Sequence, residues 1–182
     1  GQFDFIFNSG YYFASQALTS LSTLSMLQEG SLTQNGEEIA ERLDFLGSFI
    51  SCSSTKDKAV VSLCSLEKHL AESVKIVTDF ILNPSFPEEN FTTHLSKRKE
   101  RYKIDIERVE VLSQKKLAQV LFGSEHPYGR SCRIEDFSSI TRNDLIQFHA
   151  DNYIAENLKI VLCGNLKSNE VKNIIKYLST LP

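Results

Sequence analysis

No apolar run in this chain reaches the roughly 18 residues that a membrane span requires, and the opening GQFDFIFNSG has neither the basic leader nor the apolar stretch of a signal peptide. The expectation is a chain that is soluble as given. It also opens without an initiator Met, so we expect an excised segment whose targeting sequence lies elsewhere. Charge of one sign is missing too. With 20 basic against 23 acidic side chains the net charge is -3, which gives no overall electrostatic reason to seek nucleic acid or an anionic membrane. The four cysteines, Cys52, Cys64, Cys132 and Cys163, show no CxxC or Cys/His ligand spacing. Cys52, Cys64 and Cys163 sit in strand-like runs, where a thiol behaves as a small buried hydrophobe. A tight hairpin across residues 54–57 would set Cys52 opposite about Ala59, so a disulfide to Cys64 is not expected. No glycine-rich phosphate loop and no GxSxG nucleophile elbow occurs; Gly10, Gly30 and Gly47 read as turn or cap residues.

What is present suits a single packed domain: 182 residues with 41% hydrophobic content can bury a substantial core. Phe3, Phe5 and Phe7 alternate with Asp4, Ile6 and Asn8, the pattern of a strand with one apolar face. A helix is predicted from about Gln16 to Gly30 with Leu18, Leu21 and Leu24 as its apolar stripe. Asn35 and Glu38 form a capping box for the next helix, which buries Ile39, Leu43 and Leu46 and closes at Gly47. Strands are predicted over Phe49 to Ser53 and Ala59 to Leu66, then a helix through Leu70, Val74, Val77 and Ile81. Ser85 with Glu88 matches a second capping box, ahead of a long helix to about Arg108, and another helix covers Val111 to Leu121. The segment GSEHPYGR, Gly123 to Arg130, is turn-rich, and Thr141 with Asp144 starts a helix to about Tyr153. The strand Leu158 to Cys163 and a helix over Glu170 to Leu178 follow. The predicted fold class is α+β, a predominantly antiparallel sheet against a layer of helices.

Six segments, in order, carry a resemblance that covers almost the whole chain. They are MLQEGS (Met26 to Ser31), EEIAERLDFLGSFIS (Glu37 to Ser51), ILNPSFPEENF (Ile81 to Phe91), HPYGR (His126 to Arg130), ITRNDLIQFHADNYIAENLKIVLCGNL (Ile140 to Leu166) and the closing YLSTLP. Together they resemble a domain of the insulinase/pitrilysin metallopeptidases, the inverzincins. In active members of that family HxxEH directly precedes the ML segment; here that window reads Leu21, Ser22, Thr23, Leu24 and Ser25. Two imidazoles at i and i+4 hold Zn²⁺ on one helix face and the intervening Glu serves its bound water. Leucine cannot ligate, and a neutral serine hydroxyl is a poor zinc donor. The family's third ligand, a Glu on the following long helix, would fall near Ile104 to Glu107, where Asp105 and Glu107 read as a solvated face.

Other motifs are weaker. His69, Leu70, Ala71, Glu72 and Ser73 spell HxxES, but the stripe Leu70, Val74 and Val77 turns His69 and Glu72 away from the core, and no second imidazole is in reach. His94, His126 and His149 are scattered. In SKRKERYKIDIER, Ser96 to Arg108, the basic residues could contact phosphates with Tyr102 to stack, yet Lys97 with Glu100 or Lys103 with Glu107 make the pattern of a solvated helix face.

The resemblance therefore implies one inactive peptidase-like domain over residues 1–182, lacking pieces of the complete family domain at both ends. No catalytic, metal-ligating or cofactor-binding residue is expected in it, and its substrate-contacting residues are unassigned. Zinc is expected in a sister domain carrying HxxEH, in the same chain or a separate subunit, with a peptide substrate enclosed between the two. No nucleic-acid partner and no membrane span are expected, and the bacterial periplasm or cell envelope is the expected setting. The alternative is a structural homologue like the core subunits of a respiratory complex, without peptidase activity anywhere in the assembly.

Overall fold

A computed structural model describes residues 1–165 and 168–179. The last residue of the Ile140 to Leu166 segment and the closing residues 180–182 lie outside the described residues.

The chain opens with strand β1 (Gln2–Phe7), in which Phe3, Phe5 and Phe7 point into the core and are about as closed to solvent as side chains become, at 1% exposure. Helix α1 (Thr19–Met26) runs on through a short 3-10 turn to Gly30. Helix α2 (Gly36–Phe45) carries the predicted capping box in full: Asn35 accepts from the Glu38 N–H and the Glu38 carboxylate accepts from the Asn35 N–H. Gly47 ends it at φ 61, a left-handed conformation that strains any residue with a Cβ.

Strands β2 (Phe49–Ser54) and β3 (Ala59–Cys64) form the predicted hairpin, and helix α3 (Leu70–Leu82) buries Leu70, Val74, Val77 and Ile81 as its spacing requires. Helices α4 (Glu88–Asp105), α5 (Val109–Phe122), α6 (Asp136–Ser139) and α7 (Arg142–Asn152) follow. Thr141 and Asp144 close the second complete capping box, at the start of α7. Strand β4 (Leu158–Cys163) and helix α8 (Ser168–Leu178) finish the described chain.

The four strands stand in the order β2-β3-β1-β4, every neighbouring pair antiparallel. Phe5 faces Val61 on one side and Ile160 on the other. One side of this sheet, through Phe3, Phe5, Phe7, Ala59, Val61 and Leu63, packs on the helices. Helix α1 lies within that layer, against β2 and β3 on one side and α7 and α4 on others. The α+β class with an antiparallel sheet is as predicted.

Four local expectations are corrected. The Ser85 and Glu88 box does not form: α4 starts at Glu88 with Pro87 as its cap residue, and no side chain caps it. Ser85 is instead pinned outside the helix, its N–H donating to the Gly30 carbonyl and its own carbonyl accepting from Arg142. Cys52 faces Val61, not Ala59, and Cys64 faces Phe49; all four cysteines are free. Cys163 is exposed, because β4 is an outer strand of the described sheet. Leu21 is only half-buried, whereas Thr19, Ser20, Ser22 and Thr23 are fully buried beside Leu24. A helix surrounded on several sides buries its polar positions as well, so small hydroxyls fill space where a leucine would not fit.

Candidate functional site

The helix window that would hold a metal in an active relative is α1. Leu24 is closed off from solvent, at 0% exposure, inside the core. The Ser25 hydroxyl donates to the Leu21 carbonyl one turn back at 2.8 Å, the ordinary occupation of a helical serine. Leu21 alone of these positions lines a cleft. No imidazole or carboxylate stands at any of them, so the donor set does not fit zinc.

Opposite Leu21, across a cleft of about 760 Å³, stands α4. Of the third-ligand window, Ile104 is 66% exposed and Glu107 exposed, while Asp105 lines the cleft and lies 3.9 Å from Arg101. The fold thus brings the first motif position and the third-ligand window to one cleft, with a leucine on one wall. Asp105 is partly exposed there, its side chain 41% open to solvent beside an Arg101 that is 85% open.

The cleft is cationic. Lys56, Arg98, Arg101, Lys115 and Arg130 line it, against Asp105 as the single carboxylate among the described residues. Lys115 donates to the Tyr102 hydroxyl at 3.0 Å with its ammonium 4.4 Å above that ring's centre, and the Tyr102 hydroxyl in turn donates to the Cys132 carbonyl. Lys56 sits 5.1 Å over Phe122 and 5.0 Å over Tyr128, and the Tyr128 hydroxyl donates to Asp57. Such cation–ring contacts leave the charge formally intact. Arg130 donates to the carbonyls of Ala14 and Ser15, tying the GSEHPYGR turn to the segment ahead of α1. That turn needs Gly129, since a Cβ there would come within 2.0 Å of the Gly123 carbonyl oxygen. Arg98 has its Nε buried without an acceptor. Burial pushes the Cys132 thiol in this wall up to about 11, with Asp136 adding to the shift and Lys115 and Arg98 opposing it, which disfavours the thiolate. Cys52, half-buried and packed against the core, is likewise pushed up by burial to about 11.

Arg98, Arg101, Tyr102 and Asp105 come from the run read as a solvated face, and their i, i+3, i+4, i+7 spacing puts them on one side of α4, facing the cleft. The ion pair that forms along the outside is Lys103 with Glu100 at 2.7 Å, not either predicted pair. The HxxES segment is split. His69 is half-buried, exposed Glu72 reaches Arg42 at 3.9 Å, and the Ser73 hydroxyl is buried in a network with Ser48 and Ser65 at 2.8 and 3.2 Å. His94 is partly buried and His126 is exposed in its turn. His149 Nε2 lies 2.7 Å from the Ile81 carbonyl, which only a protonated nitrogen can satisfy, and burial depresses its pKa. Among the described residues no three His, Cys, Asp or Glu side chains gather as a metal site, and no helix is long and apolar enough to cross a membrane.

Comparison with known proteins places this geometry. The profile described as Insulinase (Peptidase family M16) matches residues 24–131, and that of the Peptidase M16 inactive domain matches residues 139–182. An uncharacterized zinc protease of Mycobacterium leprae is 25% identical over 154 residues, 83% of this chain and 34% of that protein. The uncharacterized zinc protease YmxG of Bacillus subtilis is 21% identical over 154 residues, 84% of this chain and 37% of that protein. The chain therefore spans about a third of the length of these relatives. A crystal structure of a peptidase M16 inactive domain from Pseudomonas fluorescens superposes with a TM-score of 0.90 at 26% identity, over 98% of this chain and 44% of that one. A Helicobacter pylori protease shares the fold, with a TM-score of 0.83 at 14% identity over 97% of this chain and 43% of its own. A family profile that spans more than half of the chain, on this sheet and helix layer, leaves one conclusion: the chain belongs to the insulinase peptidases, family M16.

Proposed function

We propose that this chain is a non-catalytic domain of a zinc-dependent peptidase, forming one wall of a peptide-holding chamber opposite a sister domain that carries HxxEH. One observation carries the reading: the family fold is kept while Leu21, Leu24 and Ser25 stand where the ligands and base would be, Leu24 sealed in the core. The division of labour is physically sound. An extended peptide can be gripped through main-chain hydrogen bonds at a sheet edge and through shape, neither of which needs a metal on both walls. Zinc on the facing domain would supply the activated water. No catalytic or metal-ligating residue is assigned to this chain, which we treat as one domain. The sister domain lies in the same polypeptide or in a separate subunit, and a bacterial periplasm or cell envelope is our proposed setting, to be checked by fractionation.

The test is an omission and add-back experiment. Cleavage of long peptides by the HxxEH partner should fall steeply when this domain is left out and recover when it is supplied in trans. Unchanged kcat/KM for the partner alone would discard the chamber role and favour the scaffold alternative.

A further inference from the structure

The peptidase reading leaves unexplained why a chain of net charge -3 gathers five cations around one cleft and supplies a single acid. Among the described residues, the ion pairs within 4 Å are Arg42 with Glu72, Arg101 with Asp105, Lys103 with Glu100 and Arg108 with Glu110. Lys56, Arg98, Lys115 and Arg130 appear in none of them. The recorded neighbours of Lys56, Lys115 and Arg130 are rings, a hydroxyl and main-chain carbonyls, which hold the side chains in place and leave their formal charge intact. A partly enclosed cleft concentrates the field of such groups. The Arg98 guanidinium in the wall, its Nε buried without an acceptor, adds to that field, with Asp105 partly offsetting it.

The positions are built, not incidental. Arg130 is fixed by the Ala14 and Ser15 carbonyls, Lys115 by the Tyr102 hydroxyl, and Lys56 by two ring faces, so three of the cations have already lost side-chain freedom before any ligand arrives. Between them run apolar stretches from Leu21, Ala17, Val111 and Phe137. A neighbouring cleft of about 670 Å³ shares Ala17, Lys115, Arg130, Ser131 and Cys132 with the first and adds Lys116 and Arg133 with Glu125 and Asp136, so the floor continues, but its cationic excess belongs to the first cleft. Isolated cations over short apolar patches suit carboxylates on aliphatic stems. Nucleic acid would need a continuous basic track with open stacking faces, whereas Tyr102 is already covered by Lys115.

We propose that this cleft, between α1, α4, α5 and the HPYGR turn, is a binding site for peptide carboxylates, and that it biases the assembly toward acidic peptide segments. The proposal rests on the chamber reading for its source of peptide. Carboxylates can come from Asp and Glu side chains or from a peptide's C-terminus; the chemistry is the same.

The experiment uses the full-length protein with its partner domain and follows fluorescence anisotropy of labelled peptides. The probes are a Glu-rich peptide and its Gln counterpart, each with a free or an amidated C-terminus. The Glu peptide should bind about tenfold or more tightly than the Gln peptide at low salt, and lose that advantage as ionic strength rises. Arg101→Gln and Lys115→Gln should each weaken it roughly two- to fivefold, and Arg98→Gln more, with Gln-peptide binding unchanged. If Arg98→Gln does not fold, the two more exposed variants decide. Loss on amidation would assign the terminal carboxylate, and indifference to it the side chains; both support the site. Equal binding of Glu and Gln peptides overturns the proposal, as do folded variants that bind like wild type or an oligonucleotide that displaces the Glu peptide at lower concentration than unlabelled peptide. Cleavage of the Gln peptide in the omission experiment keeps the two readings apart. If it needs this domain while no Glu preference exists, the chamber stands and the carboxylate site falls.

Discussion

Leu24 offers a sharp test of whether packing closes the helix window that carries the metal motif in active relatives. In the motif window it stands where an active relative carries the base, and it is sealed at 0% exposure, whereas Leu21 is half-buried on the cleft. Leu24→Ala should cost about 2–5 kcal/mol, transfer and cavity terms together. That is a large share of the roughly 5–15 kcal/mol that holds a domain folded, and at about 2–4 °C per kcal/mol for a chain of this size the melting point should drop by roughly 4–20 °C. Leu24→Glu should be worse at neutral pH, because a carboxylate without donors is placed in the core. Burial raises the pKa of such a group, so the deficit should shrink as pH falls toward 5 and the side chain becomes neutral. Leu21→His, on the cleft, should cost under about 1 kcal/mol. Urea unfolding of the three variants at neutral and acidic pH gives the answer. If Leu24→Glu is within about 1 kcal/mol of wild type at neutral pH, the window is open to water and the packing argument is wrong.

Three further outcomes are expected. Gly129→Ala should destabilise by about 1–3 kcal/mol in thermal unfolding, since its Cβ meets main chain 2.0 Å away; Gly47→Ala, whose Cβ would sit in ordinary contact with Leu66 at 3.5 Å but where φ is 61, should cost about 1–2 kcal/mol, and equal stability of Gly129→Ala would contradict the packing of the turn. Asp79 is partly buried, which alone would raise its pKa, but hydrogen bonds from Ser31, Thr33 and Asn83 together with the Arg42 charge outweigh this and lower it. A lowered folded-state pKa stabilises above the unfolded value of about 4 and is lost as pH falls through the folded value. Asp79→Asn should therefore flatten the acid limb of a urea-midpoint profile, and a limb as steep as wild type would count against it.

Much of this was legible because it depends on near neighbours. The Phe3, Phe5 and Phe7 alternation and the two boxes, Asn35 with Glu38 and Thr141 with Asp144, need only a few residues to act, and each appears where it was read. Ser85 with Glu88 has the same spelling and fails because Pro87 intervenes and Ser85 is held by Gly30 and Arg142, both distant in sequence. Leu21 was misread because a helical stripe assumes one buried side, and α1 is covered on several. The cationic cleft was invisible for a different reason. Its charges run from Lys56 to Arg130 across four separate segments, and in sequence each lies among acids of which only Asp105 reaches the same cleft.

The strand order has a consequence for how the chain is made. β1 pairs with β3 on one side and with β4 on the other. During synthesis the first partner is complete at Cys64 and the second begins only at Leu158, about 94 residues later. At about 5–20 residues per second this interval lasts roughly 5–19 s. Throughout it the main-chain groups on one edge of the phenylalanine-rich strand have no mate, the state most prone to capture by another chain. A nascent chain of this protein is thus a natural client for holding factors, from the moment β3 docks until β4 emerges.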